Sequence, residues 1–319
     1  MRRARILLRT LLGLFLIVTL PVVAFGLTTT LRETETRHPD EGRMVETPMG
    51  AFYVREAGDA GEPVLLIHGA LGWSGIWDPT LQVLAAAGFR VVTPDIPPMG
   101  WSQRDADGDY DSATQAARIR ALVRALGVRP HLVAHSFGAE AALEAAFADP
   151  GAFTSLTLVG GPSNMLHPPE VMSAALRFEP AALVGTAITI TNPLLTEHGL
   201  RMLTYRTEAV TPELAARMNA PFRREGTTPA IARWLPTMLG PRDPVSAWNG
   251  RLGALRLPTT ILWGAADPVA APSQGERLAE AIPGATFEPL AEVGHLPQYE
   301  DPNAFHRALI LALNRMSPV

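Results

Sequence analysis

The chain contains neither cysteine nor lysine among its 319 residues. Without cysteine it can form no disulfide, bind no metal through thiolates and use no cysteine nucleophile. Because all 27 basic residues are arginine, a catalytic lysine is excluded as well. The lack of cysteine is compatible with oxidising and reducing compartments alike, so it does not indicate where the protein is located.

Charged residues are also scarce, at 18%, whereas hydrophobic residues make up 47% of the chain. This composition predicts a sizeable buried core rather than disorder. The formal net charge is −4, and no basic run stands out beyond the N-terminus, so a nucleic-acid partner is not expected. The length suits one large domain with an insertion, or two modest domains, and leaves the oligomeric state open.

The first residues combine a cluster of arginines with an apolar stretch. Positions 2, 3, 5 and 9 are arginine, and Leu11–Leu27 is uncharged. One interpretation is a signal peptide with its cleavage site near Ala24–Gly26. The other, which we favour because Phe25 and Leu27 make a poor cleavage site, is an uncleaved anchor over Ile6–Leu27 that spans ~30 Å of hydrocarbon.

Both interpretations place the remainder of the chain on the exported side, since arginines precede the apolar stretch. The expected location is therefore membrane-anchored with the globular part exported, or secreted or periplasmic if the segment is cleaved. Residues 1–43 are predicted to form this segment and a short linker.

From about residue 44, short β-rich runs alternate with amphipathic helical patterns. A hairpin over Arg43–Thr47 and Ala51–Ala57 opens the series. Apolar runs such as Pro63–Ile67 are typical of strands buried on both faces. Strands that alternate with helices predict an α/β fold with a mostly parallel central sheet flanked by helices.

The alternation stops between residues 164 and 251, where prolines separate helix-like segments. We interpret this region as a helical cap inserted between two strands, and residues 44–163 and 252–319 as one core. The cap is expected to lie over the carboxyl ends of the strands.

The most informative motif is Ala134-His-Ser-Phe-Gly138, where an apolar strand runs into Ser136 and an alanine-rich helix follows. This is the strand–turn–helix setting of a nucleophile elbow, which needs small residues two before and two after the nucleophile. The alternative is a serine that simply caps the N-terminus of a helix.

With this motif the chain resembles the capped, esterase-like serine hydrolases of the α/β-hydrolase superfamily, although Ala134 replaces the first glycine of G-x-S-x-G. Leu65-Leu-Ile-His-Gly-Ala70 resembles the family strand that ends in His-Gly. The resemblance implies an oxyanion hole built from the backbone N–H groups of Ala70 and Phe137. His68 is expected to pack and to hydrogen-bond rather than to react.

Three later segments match in the same order. Asp95-Ile-Pro-Pro-Met-Gly-Trp-Ser102 resembles a structural loop of the family, with Asp95 in a structural role. Ile261-Leu-Trp-Gly-Ala-Ala-Asp267 resembles the segment that supplies the acid of a catalytic triad. Gly294-His295 resembles the loop that carries the general base. The resemblance therefore implies a triad of Ser136, Asp267 and His295.

Two functions follow from different classes of protein. The first is hydrolysis of a carboxylic ester or related acyl bond of a small substrate through an acyl-Ser136 intermediate, without cofactor or metal; C–C bond hydrolases and perhydrolases stay open. The second is a non-catalytic binding or accessory protein that keeps the fold. Apolar cap residues, together with Trp73 and Trp101, predict an apolar substrate pocket.

Overall fold

The computed structural model describes residues 31–105, 108–162, 176–238, 248 and 250–316, with scattered positions between 13 and 29. The described residues form one eight-stranded sheet. Its strands are β1 (Arg43–Val45), β2 (Phe52–Ala57), β3 (Pro63–Ile67), β4 (Arg90–Pro94), β5 (His131–His135), β6 (Ser155–Val159), β7 (Thr259–Gly264) and β8 (Thr286–Leu290).

The strands lie in the order β1-β2-β4-β3-β5-β6-β7-β8. The pairs β1–β2 and β2–β4 are antiparallel, and all pairs from β4 to β8 are parallel. The predicted opening hairpin and the mostly parallel sheet are therefore confirmed. Because parallel strands end at the same edge, the residues that follow β3, β5 and β7 meet there.

Ten helices are described. They are α1 (Asp78–Ala86), α2 (Ser112–Leu126), α3 (Phe137–Ala148), α4 (Glu179–Ile188), α5 (Thr196–Leu203), α6 (Pro212–Asn219), α7 (Thr227–Trp234), α8 (Pro272–Ala281), α9 (Pro297–Glu300) and α10 (Pro302–Met316). Helices α2, α3 and α8 contribute to one apolar cluster, and α1 and α10 to a second. The buried strands separate these two clusters, as expected of a sheet covered on both faces.

Local sequence explains where these helices begin and end. The side chain of Asp111 accepts a hydrogen bond of 2.7 Å from the backbone N–H of Thr114 and so caps the start of α2. Gly127 ends the same helix in the left-handed conformation, which glycine adopts without steric cost.

Four of the helices, α4 to α7, lie between β6 and β7. We call the described residues of this region, 176–238, the insertion. Both boundaries of the cap predicted from sequence fall near residues that the structure does not describe, 163–175 and 239–247. The domain boundaries therefore stay a prediction.

Residues 31–35, which we call the N-terminal strap, are hydrogen-bonded to the insertion. Arg32 donates to the carbonyl of Thr191 at 2.8 Å. The backbone of Glu35 pairs with the insertion on both sides, through Glu35 N–H to Arg223 O and Glu225 N–H to Glu35 O, each 3.0 Å. This part of the predicted linker is thus packed against the insertion.

The predicted membrane segment over Ile6–Leu27 lies mostly outside the described residues. Within the part of the chain that is described, no helix has both the length and the apolar character needed to cross a membrane.

Candidate active site

Ser136 occupies the sharp turn between β5 and α3. Its backbone has φ 52° and ψ −122°, a left-handed value of φ that is rare for a residue other than glycine. A hydrogen bond of 2.8 Å from Ser136 N–H to the carbonyl of Val159 on β6 fixes the turn. This hydrogen bond to β6 keeps the backbone of Ser136 in its strained conformation. The serine therefore lies at the carboxyl edge of the sheet.

Glycines make room for this turn. A β-carbon at Gly161 would overlap the carbonyl oxygen of Ser136 and lie 2.7 Å from its Cα. One at Gly69 would lie 2.9 Å from the Cβ of Ser136, and one at Gly138 would overlap the carbonyl oxygen of His68. The alanine at position 134 fits because its side chain points into the buried core.

Three side chains that the sequence placed far apart meet at this edge. His295 Nε2 lies 2.8 Å from Ser136 Oγ, and His295 Nδ1 lies 2.7 Å from Asp267 Oδ2. The carboxylate of Asp267 accepts from Nδ1–H, so Nε2 is left to accept the serine proton. The side chains of Asp267 and His295 are almost fully shielded from solvent.

The second oxygen of Asp267 is fixed by the loop after β7. Asp267 Oδ1 accepts hydrogen bonds from the backbone N–H groups of Val269, at 2.8 Å, and Ala270, at 2.9 Å. Both carboxylate oxygens therefore have partners, which orients the acid toward His295 without a bulk-water contact.

The loop that carries His295 is held by three consecutive backbone N–H groups. Gly294 donates to Glu300 Oε2 at 2.9 Å and Leu296 donates to Glu300 Oε1 at 3.0 Å. Between them, the N–H of His295 donates to the carbonyl of Leu203, at the end of α5, at 3.0 Å. The histidine backbone is therefore fixed by the core and the insertion together.

Glu300 also contacts the insertion directly. Its Oε2 accepts hydrogen bonds from the backbone N–H groups of Tyr205, at 2.8 Å, and Arg206, at 2.9 Å. One buried carboxylate thus joins the histidine loop to the segment after α5. Sequence reasoning missed this residue, and its one signal was an acidic side chain inside the segment that follows the histidine.

The two predicted oxyanion donors are the residue that follows Ser136 in the chain and a residue of the same cavity. Phe137 is the first residue of α3, and the first N–H groups of a helix have no acceptor within it. Ala70 follows β3 and lines the same cavity as Ser136. The helix dipole at Phe137 favours negative charge near the serine.

Two further histidines lie near the triad and are neutral at pH 7. His68 Nε2 accepts from the backbone N–H of Ile96 at 2.8 Å, and burial lowers its pKa to about 4. His135 donates from Nε2 to the carbonyl of His295 at 2.8 Å. Burial, with a smaller contribution from His295, lowers the pKa of His135 to about 3. Both rings support the site as uncharged packing groups.

Asp95 organises the loops beside the site. Its carboxylate accepts hydrogen bonds of 2.6 Å from the backbone N–H groups of Ser74 and Trp101. Burial raises the pKa of Asp95 to about 6. Gly100, with φ 64°, lets the loop close because a β-carbon there would overlap the Asp95 carboxylate.

Trp73 and Trp101, which the sequence suggested for the pocket, are not among the residues that line it. Both are buried, at 1% and 4% exposure, in the apolar cluster. The indole of Trp73 lies beneath the guanidinium groups of Arg55 and Arg217 and donates to the carbonyl of Arg217 at 3.0 Å. These contacts hold the ring between the core and α6, so the pocket prediction is corrected here.

A cavity of about 290 Å³ opens from the triad between the core and the insertion. Apart from Ser136 and the two histidines, the described residues that line it are aliphatic, small, aromatic or hydroxyl-bearing, and none carries a formal charge. They are Ala70, Leu71, Gly72, Ile76, His135, Ser136, Thr189, Ile190, Leu195, Thr196, Gly199, Leu200, Leu203, Met218, Phe222, His295 and Leu296.

Fold and geometry together define the class of serine hydrolases built on an α/β sheet. A family model described as alpha/beta hydrolase fold matches residues 62–302, and the chain belongs to that family. Its curated relatives include a 2-hydroxy-6-oxononadienedioate/2-hydroxy-6-oxononatrienedioate hydrolase of Pseudomonas putida. That protein is 28% identical over 274 residues, which cover 81% of this chain and 90% of the relative.

Two other similar proteins are a curated relative named as a dienoate hydrolase and a solved structure named as an esterase. A 2-hydroxy-6-oxo-6-phenylhexa-2,4-dienoate hydrolase of Burkholderia cepacia is 27% identical over 268 residues, covering 80% of this chain and 88% of the relative. The solved structure of a thermophilic esterase from Thermogutta terrifontis has a TM-score of 0.71 and 23% identity. It covers 87% of this chain and 99% of its own. That likeness shows the shared fold.

Proposed function

We propose that this serine hydrolase cleaves a carboxylic ester or related acyl bond of a small, apolar, uncharged substrate. The observation that carries the proposal is the chain of two hydrogen bonds, 2.7 and 2.8 Å, that runs from Asp267 through His295 to Ser136. It ends in an apolar cavity, where a substrate carbonyl can reach the serine oxygen.

The reaction proceeds in two halves. Ser136 Oγ attacks the carbonyl carbon while His295 Nε2 accepts the serine proton, and Asp267 stabilises the imidazolium that forms. The N–H groups of Ala70 and Phe137 donate to the oxyanion. The imidazolium then protonates the leaving alkoxide, and an acyl-Ser136 ester remains.

Water completes the cycle. His295 removes a proton from a water molecule, whose oxygen attacks the acyl carbon, and the proton returns to Ser136 Oγ as the carboxylic acid departs. His135 and His68 stay neutral beside the site, so the charge that develops at His295 meets no neighbouring cation from these rings.

The lining of the cavity supports an uncharged substrate. Burying a carboxylate without a cationic partner costs several kcal/mol, because the ion loses its hydration and gains no opposite charge. No arginine belongs to the described lining. A second candidate is hydrolysis of a C–C bond, because the curated relatives are named as hydrolases of dienoates. Such acids carry a carboxylate, so the ester proposal ranks first.

For location, we propose that the apolar segment after the N-terminal arginines anchors the chain with the hydrolase domain exported. The support is the arginine cluster before Leu11–Leu27. Protease added to intact spheroplasts should degrade a C-terminal tag if the domain is outside. A tag that is degraded only after lysis would refute the orientation.

Substitution of Ser136 by alanine tests the proposed function. With detergent-solubilised full chain, kcat/KM for p-nitrophenyl esters should fall by about 10³-fold or more, and fluorophosphonate labelling should disappear. Ser273→Ala, an exposed serine on α8, is the matched control and should leave both unchanged.

The same assays rank the alternatives. Cleavage of a 2-hydroxy-6-oxo-dienoate without turnover of any ester would favour the C–C bond hydrolase. If the folded wild type is not labelled and hydrolyses neither the dienoate nor an ester of any chain length, the non-catalytic accessory protein is favoured.

A further inference from the structure

Exposed apolar side chains are unevenly distributed over the molecule. Among the described residues, ten of the thirteen large exposed hydrophobic side chains lie in the insertion or before residue 32, although the core is much the larger part. They are Phe15, Ile17, Leu20, Leu31, Phe178, Leu183, Leu194, Leu195, Met202 and Tyr205. Clustered exposure of this kind marks an interaction surface.

Three of these side chains lie in or just before α5, a helix that lines the pocket. Leu194 is 86% exposed and Leu195 40% exposed where the chain enters α5, and Met202 is 65% exposed further along that helix. Leu195 and the exposed Gly199 also line the cavity that contains Ser136. One segment therefore forms a wall of the pocket and presents apolar side chains to solvent.

The N-terminal strap continues this surface. Leu31, 77% exposed, lines a cleft together with Pro193, the residue before Leu194. Phe222 lines both that cleft and the pocket. We call Leu31, Leu194, Leu195 and Met202 the apolar collar.

The sequence indicates what covers the collar. The uncharged stretch Leu11–Leu27 ends four residues before Leu31, so it joins the domain at the collar. A bilayer that receives this stretch would meet the collar at the same place. Arg32 and the exposed Arg223 line the same cleft, and both guanidinium groups have protein partners there, since Arg32 donates to the carbonyl of Thr191 at 2.8 Å and Arg223 pairs with Glu35 at 2.9 Å.

We propose that the apolar collar docks on a lipid bilayer and that the pocket takes its substrate, an uncharged acyl ester of a membrane lipid, directly from it. The substrate part of this proposal rests on the proposed ester hydrolysis; the docking part does not. A lipid surface suits the collar because it requires apolar area but no complementary shape.

The absence of cysteine allows a direct test of docking. An environment-sensitive fluorophore is attached to the single cysteine of a Met202→Cys variant of the full chain. The labelled protein is then reconstituted in phosphatidylethanolamine–phosphatidylglycerol vesicles. We expect a blue shift and quenching by doxyl-labelled lipid. Leu311→Cys, on α10 and 49% exposed, is the matched control and should show neither. Equal, water-like spectra at both positions would overturn docking on lipid.

Activity tests the substrate part. In the double variant Leu194→Glu/Met202→Glu, hydrolysis of an uncharged fluorogenic diacylglycerol held in vesicles should fall by about fivefold or more, because charge disfavours immersion. Hydrolysis of soluble p-nitrophenyl butyrate should not change, and Leu311→Glu should alter neither.

The failures are distinguishable. Loss of both activities in the double variant, or retention of both, would overturn the lipid substrate while the fluorescence result still decides docking. Wild type that hydrolyses no ester at all would refute the proposed function and with it the lipid substrate, whereas docking would still be decided by the fluorescence result.

Discussion

At the scale of single residues, close packing around Ser136 determines which side chains the elbow tolerates. Gly69, Gly138 and Gly161 each lie where a β-carbon would contact the turn, whereas Ala134 has room in the core. The departure from G-x-S-x-G is therefore tolerated at position 134, and the space needed for the turn comes from Gly138 of the motif and from Gly69 and Gly161 on the loops after β3 and β6.

Gly161→Ala should lower kcat/KM by about 100-fold, because the new methyl group would displace the serine backbone, and small displacements of reacting groups are costly. The free energy of unfolding should fall by about 1–3 kcal/mol from overpacking. Gly253→Ala, where a β-carbon meets nothing within 4 Å, is the control. Steady-state kinetics and urea unfolding measure both effects, and wild-type kinetics in Gly161→Ala would contradict this geometry.

At the scale of elements, α9 is short but carries the carboxylate that joins two loops. Glu300 accepts from Gly294 and Leu296 around the base, and from Tyr205 and Arg206 after α5. A movement of the segment after α5 is thereby coupled to the backbone of His295.

Glu300→Gln should lower kcat by about tenfold with little change in KM, because the amide group turns an N–H donor toward backbone N–H groups and loosens the histidine loop. The rate of fluorophosphonate labelling should fall in parallel, and the pH profile of kcat should shift, which a purely structural loss would not produce. The exposed Glu280→Gln on α8 is the control. An unchanged pH profile and labelling rate would remove Glu300 from the positioning of His295.

Most core elements could be predicted because their signals are local. The run Pro63–Ile67 is a strand with the predicted bounds, and β1 and β2 lie within the hairpin predicted over Arg43–Thr47 and Ala51–Ala57. Helix α9 was not predicted, because a helix of four residues that begins with a proline is too short to show the periodicity of apolar residues that indicates a helix.

The site could be predicted only in part, for a related reason. Short motifs placed Ser136, Asp267 and His295 at the ends of strands or in a loop, and the structure brings the three side chains together. Their catalytic roles stay a prediction that the serine substitution tests. Glu300 and the burial of Trp73 depend on contacts between residues distant in sequence, which no local pattern encodes.

At the scale of the whole molecule, buried titratable groups control acid stability. The pKa values of His68 and His135 fall from 6.5 to about 4 and about 3, and burial also lowers the pKa of His306. Unfolding at pH 5 therefore takes up protons on these rings. Asp95 acts in the opposite direction, since its pKa is raised from 3.8 to about 6 and the folded state binds its proton first.

Between pH 6 and 4, two protons bound on unfolding by His68 and His135 exceed the one released by Asp95. Together, these three groups should lower the free energy of unfolding by about 1.4 kcal/mol for each unit by which the pH falls. His135→Gln, which can still donate to the carbonyl of His295, removes one of these protons. Urea unfolding at pH 7.5, 6 and 5 should show a slope that is lower in the variant by about 1 kcal/mol per unit between pH 6 and 5, and by about half as much between pH 7.5 and 6. Parallel slopes would mean that His135 is protonated in the folded state.

The N-terminal strap has a mechanical consequence. Among the described residues, the hydrogen bonds that join Arg32, Glu33 and Glu35 to the rest of the chain beyond the N-terminal segment end on the insertion and not on the sheet. A force that pulls on the first residues therefore acts on the insertion, which lines the pocket, before it acts on the strands. We expect a tether pulled at this end to change the width of the pocket, so that the enzyme responds to the movement of whatever holds its N-terminus.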